Sequence, residues 1–374
     1  MTARLAATFM RGGTSKALMF RRDDLPADRG DWDRLFLTAM GSPDPYGRQL
    51  NGMGGGLSSL SKVCVVGPSN RADADVDFTF AQVQIGRSLV DYSGNCGNMS
   101  AAIGPFALHS GLLERADGDA SVVVHNTNTA KLMRAGFTVK DGEAVEDGVF
   151  PIPGVGGTGA PIRLDFLEPG GSTTGALLPT GSPTFDLATP AGTFSISVMD
   201  AGNVCVFVRA HDLGLTGTET PEQLDGDADA LATIATIRAQ ASVAMGLTRT
   251  IEEARDRPLT PFIAVVGAPG GYSTSDGQSV GRHDYELSAR FVSNGQPHRA
   301  VPGTGALCLA VAARIPGTLV AELSSTSGST LRVGTPAGVV PVEADVRASD
   351  SGWHAVSATS FRTCRRLFTG QVFV

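Results

Sequence analysis

A chain of 374 residues with a net charge of −7, 42% hydrophobic and only 18% charged, can build two domains of ordinary size and offers no basic face to nucleic acid. It reads without a secretory signal or an apolar run of transmembrane length, and its five scattered cysteines (Cys64, Cys96, Cys205, Cys308, Cys364) suit a reducing, cytoplasmic setting better than a disulfide framework. The 47 glycines and few aromatics point to many turns and short strands.

Leu5 to Phe9 and Ala17 to Phe20 read as strands, joined by Arg11-Gly12-Gly13-Thr14-Ser15-Lys16. Two glycines followed by two hydroxyls can present N–H and O–H groups to an anion, and Arg11 can grip a carboxylate with two parallel bonds. A hairpin turn with solvated Arg11 and Lys16 explains the same residues. Asp31 to Met40 is an amphipathic helix that stops at Gly41-Ser42-Pro43-Asp44-Pro45. The glycines of Gly52-Met53-Gly54-Gly55-Gly56 would let a ligand approach the backbone closely. Lys62 stands at the mouth of the apolar strand Val63 to Val66, where burial penalises its charge. It either snorkels to solvent or lines a site.

Phe78 to Ile85 alternates as a strand and leads into Asp91-Tyr92-Ser93-Gly94-Asn95-Cys96-Gly97-Asn98-Met99-Ser100. Met99 to Leu113 then reads as a helix, despite Gly104 and Pro105, with Asn98 as its N-cap. A thiol at such a helix N-terminus meets the positive end of the dipole and unpaired N–H groups, which favour the thiolate. The same groups can hold a carboxylate. A buried, inert cysteine beside a tight turn is the competing reading.

Gly154-Val155-Gly156-Gly157-Thr158-Gly159 has dinucleotide-motif spacing, but Ile162 to Phe166 beyond it reads as a strand where a helix is required. Asp225-Gly226-Asp227-Ala228-Asp229 lacks the glycine and glutamate of a calcium loop and reads as the start of a helix from Ala230 to Met245. Six scattered histidines show no zinc spacing. The second half echoes the first. Strands Thr193 to Met199 and Val204 to Val208 flank the turn Asp200-Ala201-Gly202-Asn203, and Pro302-Gly303-Thr304 opens a helix from Ala306 to Arg314. Such a duplication predicts two similar domains, each bringing a helix N-terminus to one cleft, an arrangement suited to a substrate with several carboxylates.

Phe9-Met10-Arg11-Gly12-Gly13-Thr14-Ser15-Lys16, Gly52-Met53-Gly54-Gly55, Ser61-Lys62-Val63, Asn95-Cys96-Gly97-Asn98, Leu177-Leu178-Pro179-Thr180-Gly181 and His298-Arg299-Ala300, in this order, resemble the PrpF family. The resemblance implies an α+β, diaminopimelate epimerase-like fold: two pseudo-symmetric domains, each a curved sheet wrapped around a central helix. The expected division is 1–183 and 184–374, leaving room for the last strands to pair with the first domain. It implies Lys62 and Cys96 as the catalytic pair. Substrate binding falls to Arg11, Thr14, Ser15, Ser61, Asn95, Gly97, Asn98, Asn203, Gly303, Thr304 and Gly305. It implies neither metal nor cofactor, and a homodimer is compatible with it. The activity implied is an allylic proton shift in an unsaturated di- or tricarboxylate such as 4-oxalomesaconate or 2-methylaconitate, and Ala176-Leu177-Leu178-Pro179 resembles the oxalomesaconate branch more. Epimerases of this fold use two thiols; here Pro302 stands at the second position, and Cys308 reads as core. Amino-acid epimerisation and a carboxylate-binding accessory role for an aconitase-like dehydratase are the alternatives.

Overall fold

A mostly apolar run near the start, buried from Ala7 to Met10, forms β1 (Arg4–Gly12), which turns at Gly13 and Thr14 into the antiparallel β2 (Ser15–Arg21). The computed structural model describes residues 4–92, 95–257, 260–293, 295–324, 328–350 and 352–374. Ser93 and Gly94 of the cysteine turn lie outside the described residues. Two units are present: Met1–Asp165 with Phe361–Val374, and Phe166–Ser360. The boundary expected at residue 183 therefore falls inside the second unit. The chain leaves the first unit within the strand Ile162–Leu167 and re-enters it within Gly352–Arg362.

In the first unit, β2 runs parallel to β3 (Lys62–Pro68), which pairs antiparallel with β4 (Val76–Val83). β4 runs parallel to β5 (Gly118–Asn126), which pairs antiparallel with β6 (Lys131–Lys140). The closing strand, Cys364–Phe373, lies antiparallel on the free edge of β1. Each parallel step needs a crossover, and each crossover carries a helix. The first is α1 (Trp32–Met40), whose Leu35, Phe36, Ala39 and Met40 pack on Phe20, Val63, Val65 and Ala81. The second is α2 (Ser100–His109), with every residue from Ser100 to Leu108 buried. A helix apolar on all sides belongs inside a sheet, not on it. Gly104 gives the ring of Phe137 on β6 its space, because a Cβ there would come within 2.5 Å of it. α2 ends before the expected Leu113: the N–H groups of Leu112 and Leu113 both fold back onto the Ala107 carbonyl.

The second unit repeats this plan. β7 (Phe185–Thr189) flanks β8 (Gly192–Asp200), which pairs antiparallel with β9 (Val204–Arg209). β9 is parallel to β10 (Phe262–Gly267), β10 antiparallel to β11 (Leu287–Ser293), β11 parallel to β12 (Thr330–Thr335), and β12 antiparallel to β13 (Gly338–Ser349). The first crossover holds α3 (Ala228–Ala244), whose Ile234, Ile237 and Ala241 pack on Val206, Val208 and Val265. The second holds α4 (Gly303–Ala312), buried from Gly305 onward. Asp227 caps α3 at the Ala230 N–H, as a helix start in that acidic run requires.

The glycines of the 52–56 loop admit the protein's own backbone and side chains, contrary to the expectation of a ligand. Gly41 ends α1 in the left-handed region at φ 73°. A Cβ on Gly52 would stand 2.1 Å from the Gly41 nitrogen, and one on Gly54 would stand 2.4 Å from the Gln49 side chain. Gln49 is the buried hub: its Nε2 donates to Ser42 Oγ at 2.8 Å, and its Oε1 accepts from Gly56 N at 3.0 Å and Ser61 Oγ at 2.6 Å. Gly52→Ala should therefore destabilise the first unit by about 2 kcal/mol or more, read as an earlier thermal midpoint. Gly156→Ala, where a Cβ meets nothing within 4 Å, should leave the midpoint unchanged.

Candidate active site

Lys62 opens β3 and is only 8% exposed, so it does not snorkel to solvent. Its strand partner across the ladder is Gln82, whose Oε1 accepts from Lys62 Nζ at 2.5 Å. The Gln82 amide is held in that orientation because its Nε2 donates to the Ser58 and Ser61 carbonyls, both at 3.0 Å. The ammonium also lies 5.0 Å from the centre of the Phe80 ring. Among the described residues no carboxylate reaches ion-pair distance of Lys62. The lysine is thus a buried cation supported by a neutral amide and a ring.

Cys96 lies at the start of α2, held in place through neighbours on both sides. Asn126 Nδ2 donates to Asn95 Oδ1 at 2.8 Å, and Asn128 Nδ2 donates to the Tyr92 carbonyl at 2.6 Å and the Phe80 carbonyl at 2.8 Å. Phe80 N–H returns a bond to Asn128 Oδ1 at 2.8 Å, so the cysteine loop is pinned to β4 directly beside the strand of Lys62. Cys64, two residues after Lys62 and on the same face of β3, senses both candidates. Burial pushes its thiol well up, Cys96 adds to the rise and Lys62 opposes it.

Asn98 is not the N-cap. Met99 occupies that position, and no side chain caps α2. Asn98 instead donates from Nδ2 to Thr14 Oγ1 at 3.0 Å and accepts from Arg362 Nε at 3.2 Å. Among the described residues the backbone N–H groups of Gly97, Asn98 and Met99 meet no acceptor. The helices at Pro221, Ala228, Ile251 and Leu319 each carry a Thr or Asp cap, so the bare start of α2 is a local choice. Such a start can hold an anion.

The remaining expected residues divide by their surroundings. Gly13, at φ 52°, brings the β1–β2 turn against Asn98: a Cβ there would sit 2.3 Å from Asn98 Oδ1. Ser15 is buried, and its hydroxyl has no partner among the described residues. Arg11, half-buried, donates from one nitrogen to the carbonyls of Gly13 at 2.9 Å and Thr363 at 3.0 Å, and so braces the turn. Burial pushes its guanidinium down. The Ser61 hydroxyl is spent on Gln49 and the Leu57 carbonyl, which gives Ser61 a place in the loop scaffold.

In the second unit Asn203 belongs to the β8–β9 turn, and its Oδ1 accepts from the Val204 N–H at 2.8 Å. Gly303, Thr304 and Gly305 form the first turn of α4, again without a side-chain cap, because Pro302 stands at the N-cap. Cys308 is fully buried, and its thiol donates to the carbonyls of Ala201 at 3.2 Å and Asn203 at 3.1 Å. It ties helix to turn, as a core residue does. Sequence reasoning missed Gln82, Asn126, Asn128 and Arg362. The polar run Asn126-Thr127-Asn128-Thr129 after an apolar strand was the one available signal.

The PrpF protein family model matches residues 2–374. A 3-methylitaconate isomerase of Eubacterium barkeri is 41% identical over 99% of this chain and 97% of its own length. A 2-methyl-aconitate isomerase of Shewanella oneidensis is 39% identical over 99% and 97%. A (4E)-oxalomesaconate Delta-isomerase of Novosphingobium is 36% identical over 98% and 96%. The crystal structure of a methylitaconate-delta-isomerase superposes with a TM-score of 0.90 at 41% identity, covering 100% of this chain and 96% of that one. A hydroxyproline epimerase from Agrobacterium vitis, at 14% identity and a TM-score of 0.55 over 99% and 93%, shares the fold, which is diaminopimelate epimerase-like.

The five thiols differ in access. Cys96 is 9% exposed, against 0% for Cys64, Cys205 and Cys308 and 3% for Cys364. Burial pushes the Cys64 and Cys205 thiols well up and that of Cys364 up to about 12. Iodoacetamide should therefore alkylate Cys96 first in the folded protein, read by peptide mass mapping. First labelling at any other cysteine contradicts this geometry.

Proposed function

The chain belongs to the PrpF family and is an isomerase, and we propose that it moves a proton across an allylic unit of an unsaturated di- or tricarboxylate by means of Lys62 and Cys96. The observation that carries this reading is the buried Lys62 ammonium, which has no carboxylate partner among the described residues. A cation so placed is ready for an anionic substrate. Cys96 supports it from the uncapped start of α2, sharing Cys64 as a neighbour with Lys62.

The reaction needs a base, an acid and a place for transient negative charge. One member of the pair removes a proton from the saturated carbon. The electron pair delocalises through the double bond into the adjacent carboxylate as a dienolate. The other member delivers a proton to the far carbon, and the double bond moves by one position. No atom is lost and no electron leaves the substrate. The N–H groups of Gly97, Asn98 and Met99 suit the dienolate oxygen, and the Ser15 hydroxyl suits a second carboxylate.

The relatives' names support one substrate class over another. Identity is 41% to the 3-methylitaconate isomerase and 39% to a 2-methyl-aconitate isomerase, against 36% to the oxalomesaconate enzyme. We place the substrate with the methyl-substituted acids, away from the branch that Ala176-Leu177-Leu178-Pro179 resembles. Epimerisation lacks its second thiol, since Pro302 caps α4 and Cys308 is committed to backbone carbonyls.

Incubation with 3-methylitaconate, 2-methylaconitate and 4-oxalomesaconate in heavy water, followed by NMR, should show double-bond migration with deuterium entering the product. A protein that binds these acids without exchange or migration would be a carboxylate carrier instead. Lys62→Met and Cys96→Ser should each cut turnover by about two to four orders of magnitude, and the double variant little further, because both break one proton relay. A single variant that still exchanges the substrate proton identifies the surviving residue as the base.

A further inference from the structure

We infer that Arg362 grips a carboxylate of the substrate beside the Cys96 turn; this rests on the unsaturated-polycarboxylate reading and adds a residue to it. Arg362 closes the strand Gly352–Arg362 and is 6% exposed. Its Nε donates to Asn98 Oδ1 at 3.2 Å, and one terminal nitrogen donates to the neighbouring Phe361 carbonyl at 2.8 Å. No carboxylate pairs with it among the described residues. A guanidinium offers five donors in a planar fork, so most of its capacity is left over.

Two other buried arginines each donate to three backbone carbonyls, although Arg290 Nη2 has no partner among the described residues. Arg238 donates to the carbonyls of Ala254, Arg257 and Thr260. Arg290 donates to the carbonyls of Glu219, Ala289 and Gly334 and lies 5.1 Å from the centre of the Tyr272 ring. Arg362 instead leans on a side chain two residues from Cys96. The Asn98 amide cannot turn away, because its Nδ2 is bound to Thr14 Oγ1. Arg362 bonds Asn98, the open N–H groups belong to Asn98 and its chain neighbours, and Ser15 with its free hydroxyl follows Thr14, with no acid bonded to any of them among the described residues. Burial alone pushes the guanidinium down to about 10, which leaves it charged at neutral pH. Arg11, the cation expected for this task, braces the β1–β2 turn through one terminal nitrogen.

The test uses tricarballylate, a saturated tricarboxylate that cannot isomerise, titrated into the full-length protein by calorimetry. Arg362→Met should weaken binding at least about thirtyfold with an unchanged melting temperature, and Arg362→Lys should recover most of the loss at pH 7. A buried ammonium gives up its proton more readily than a guanidinium. Affinity should therefore fall between about pH 7 and 9 in Arg362→Lys and stay level in the wild type. This second comparison decides the matter if Arg362→Met does not fold. Arg362→Met binding within threefold of wild type, parallel pH profiles, or no tricarballylate binding by the wild type would overturn the inference. Arg362-dependent binding without isomerisation of any unsaturated acid would uphold the carboxylate contact and reject the reaction.

Discussion

A buried ammonium without an anion beside it is expensive to maintain, and much of the first unit is built to maintain one. Removing a charge from water costs several kcal/mol even after relaxation unless something compensates. Here the compensation is a neutral carbonyl oxygen, that of Gln82, and the face of Phe80. Gln82 keeps its orientation because the Ser58 and Ser61 carbonyls occupy its amide hydrogens. Those carbonyls keep their places because Ser61 is bound to Gln49, which also gathers Ser42 and Gly56. A carboxylate at position 82 would neutralise the lysine permanently. An amide supports it without pairing its charge.

The duplication makes the asymmetry informative. Both units run the same sequence of antiparallel and parallel pairings, and both bury a helix whose first turn lacks a side-chain cap. In each, a glycine in that helix admits a phenylalanine ring from the sheet: Gly104 with Phe137, Gly305 with Phe291. The candidate residues have not been copied with the scaffold. Lys62 and Cys96 lie in the first unit. In the second, the corresponding helix begins at Pro302, and its cysteine donates to the turn behind it. The fold tolerates this because the central helix is specified by burial, and its N-terminus is free to vary.

What could be read from the residues was local. The strand patterns, the helix from Asp31 to Met40, the strand beyond Gly159 and the inert Cys308 all follow from periodicity and turn chemistry. Lys62 stood out because a charge opened an apolar strand, and Cys96 because a cysteine sat in a glycine and asparagine turn. The supports were not legible. Gln82 faces Lys62 only through ladder register, and Arg362 reaches Asn98 from the far end of the chain. The division expected at residue 183 falls inside the second unit, which runs from Phe166 to Ser360, because no local signal marks where the chain leaves the first unit. The glycine loop was misread because a glycine that admits a ligand and one that admits the chain's own backbone have the same sequence.

The pairing of β1 with the closing strand sets an order on the life of the nascent chain. Arg4 stands opposite Phe373, and Gly12 opposite Cys364, so one edge of the first sheet stays open until the strand Cys364–Phe373 has been made. The Gly13 N–H and Arg11 also wait for the Thr363 carbonyl, and Asn98 waits for Arg362. The second unit is contiguous and needs nothing from either terminus to complete its own ladder. Synthesis therefore delivers a finished second unit while the first still lacks an edge strand. Lys62 and Cys96 are made early, whereas Arg362, which reaches Asn98 beside the cysteine, is made late.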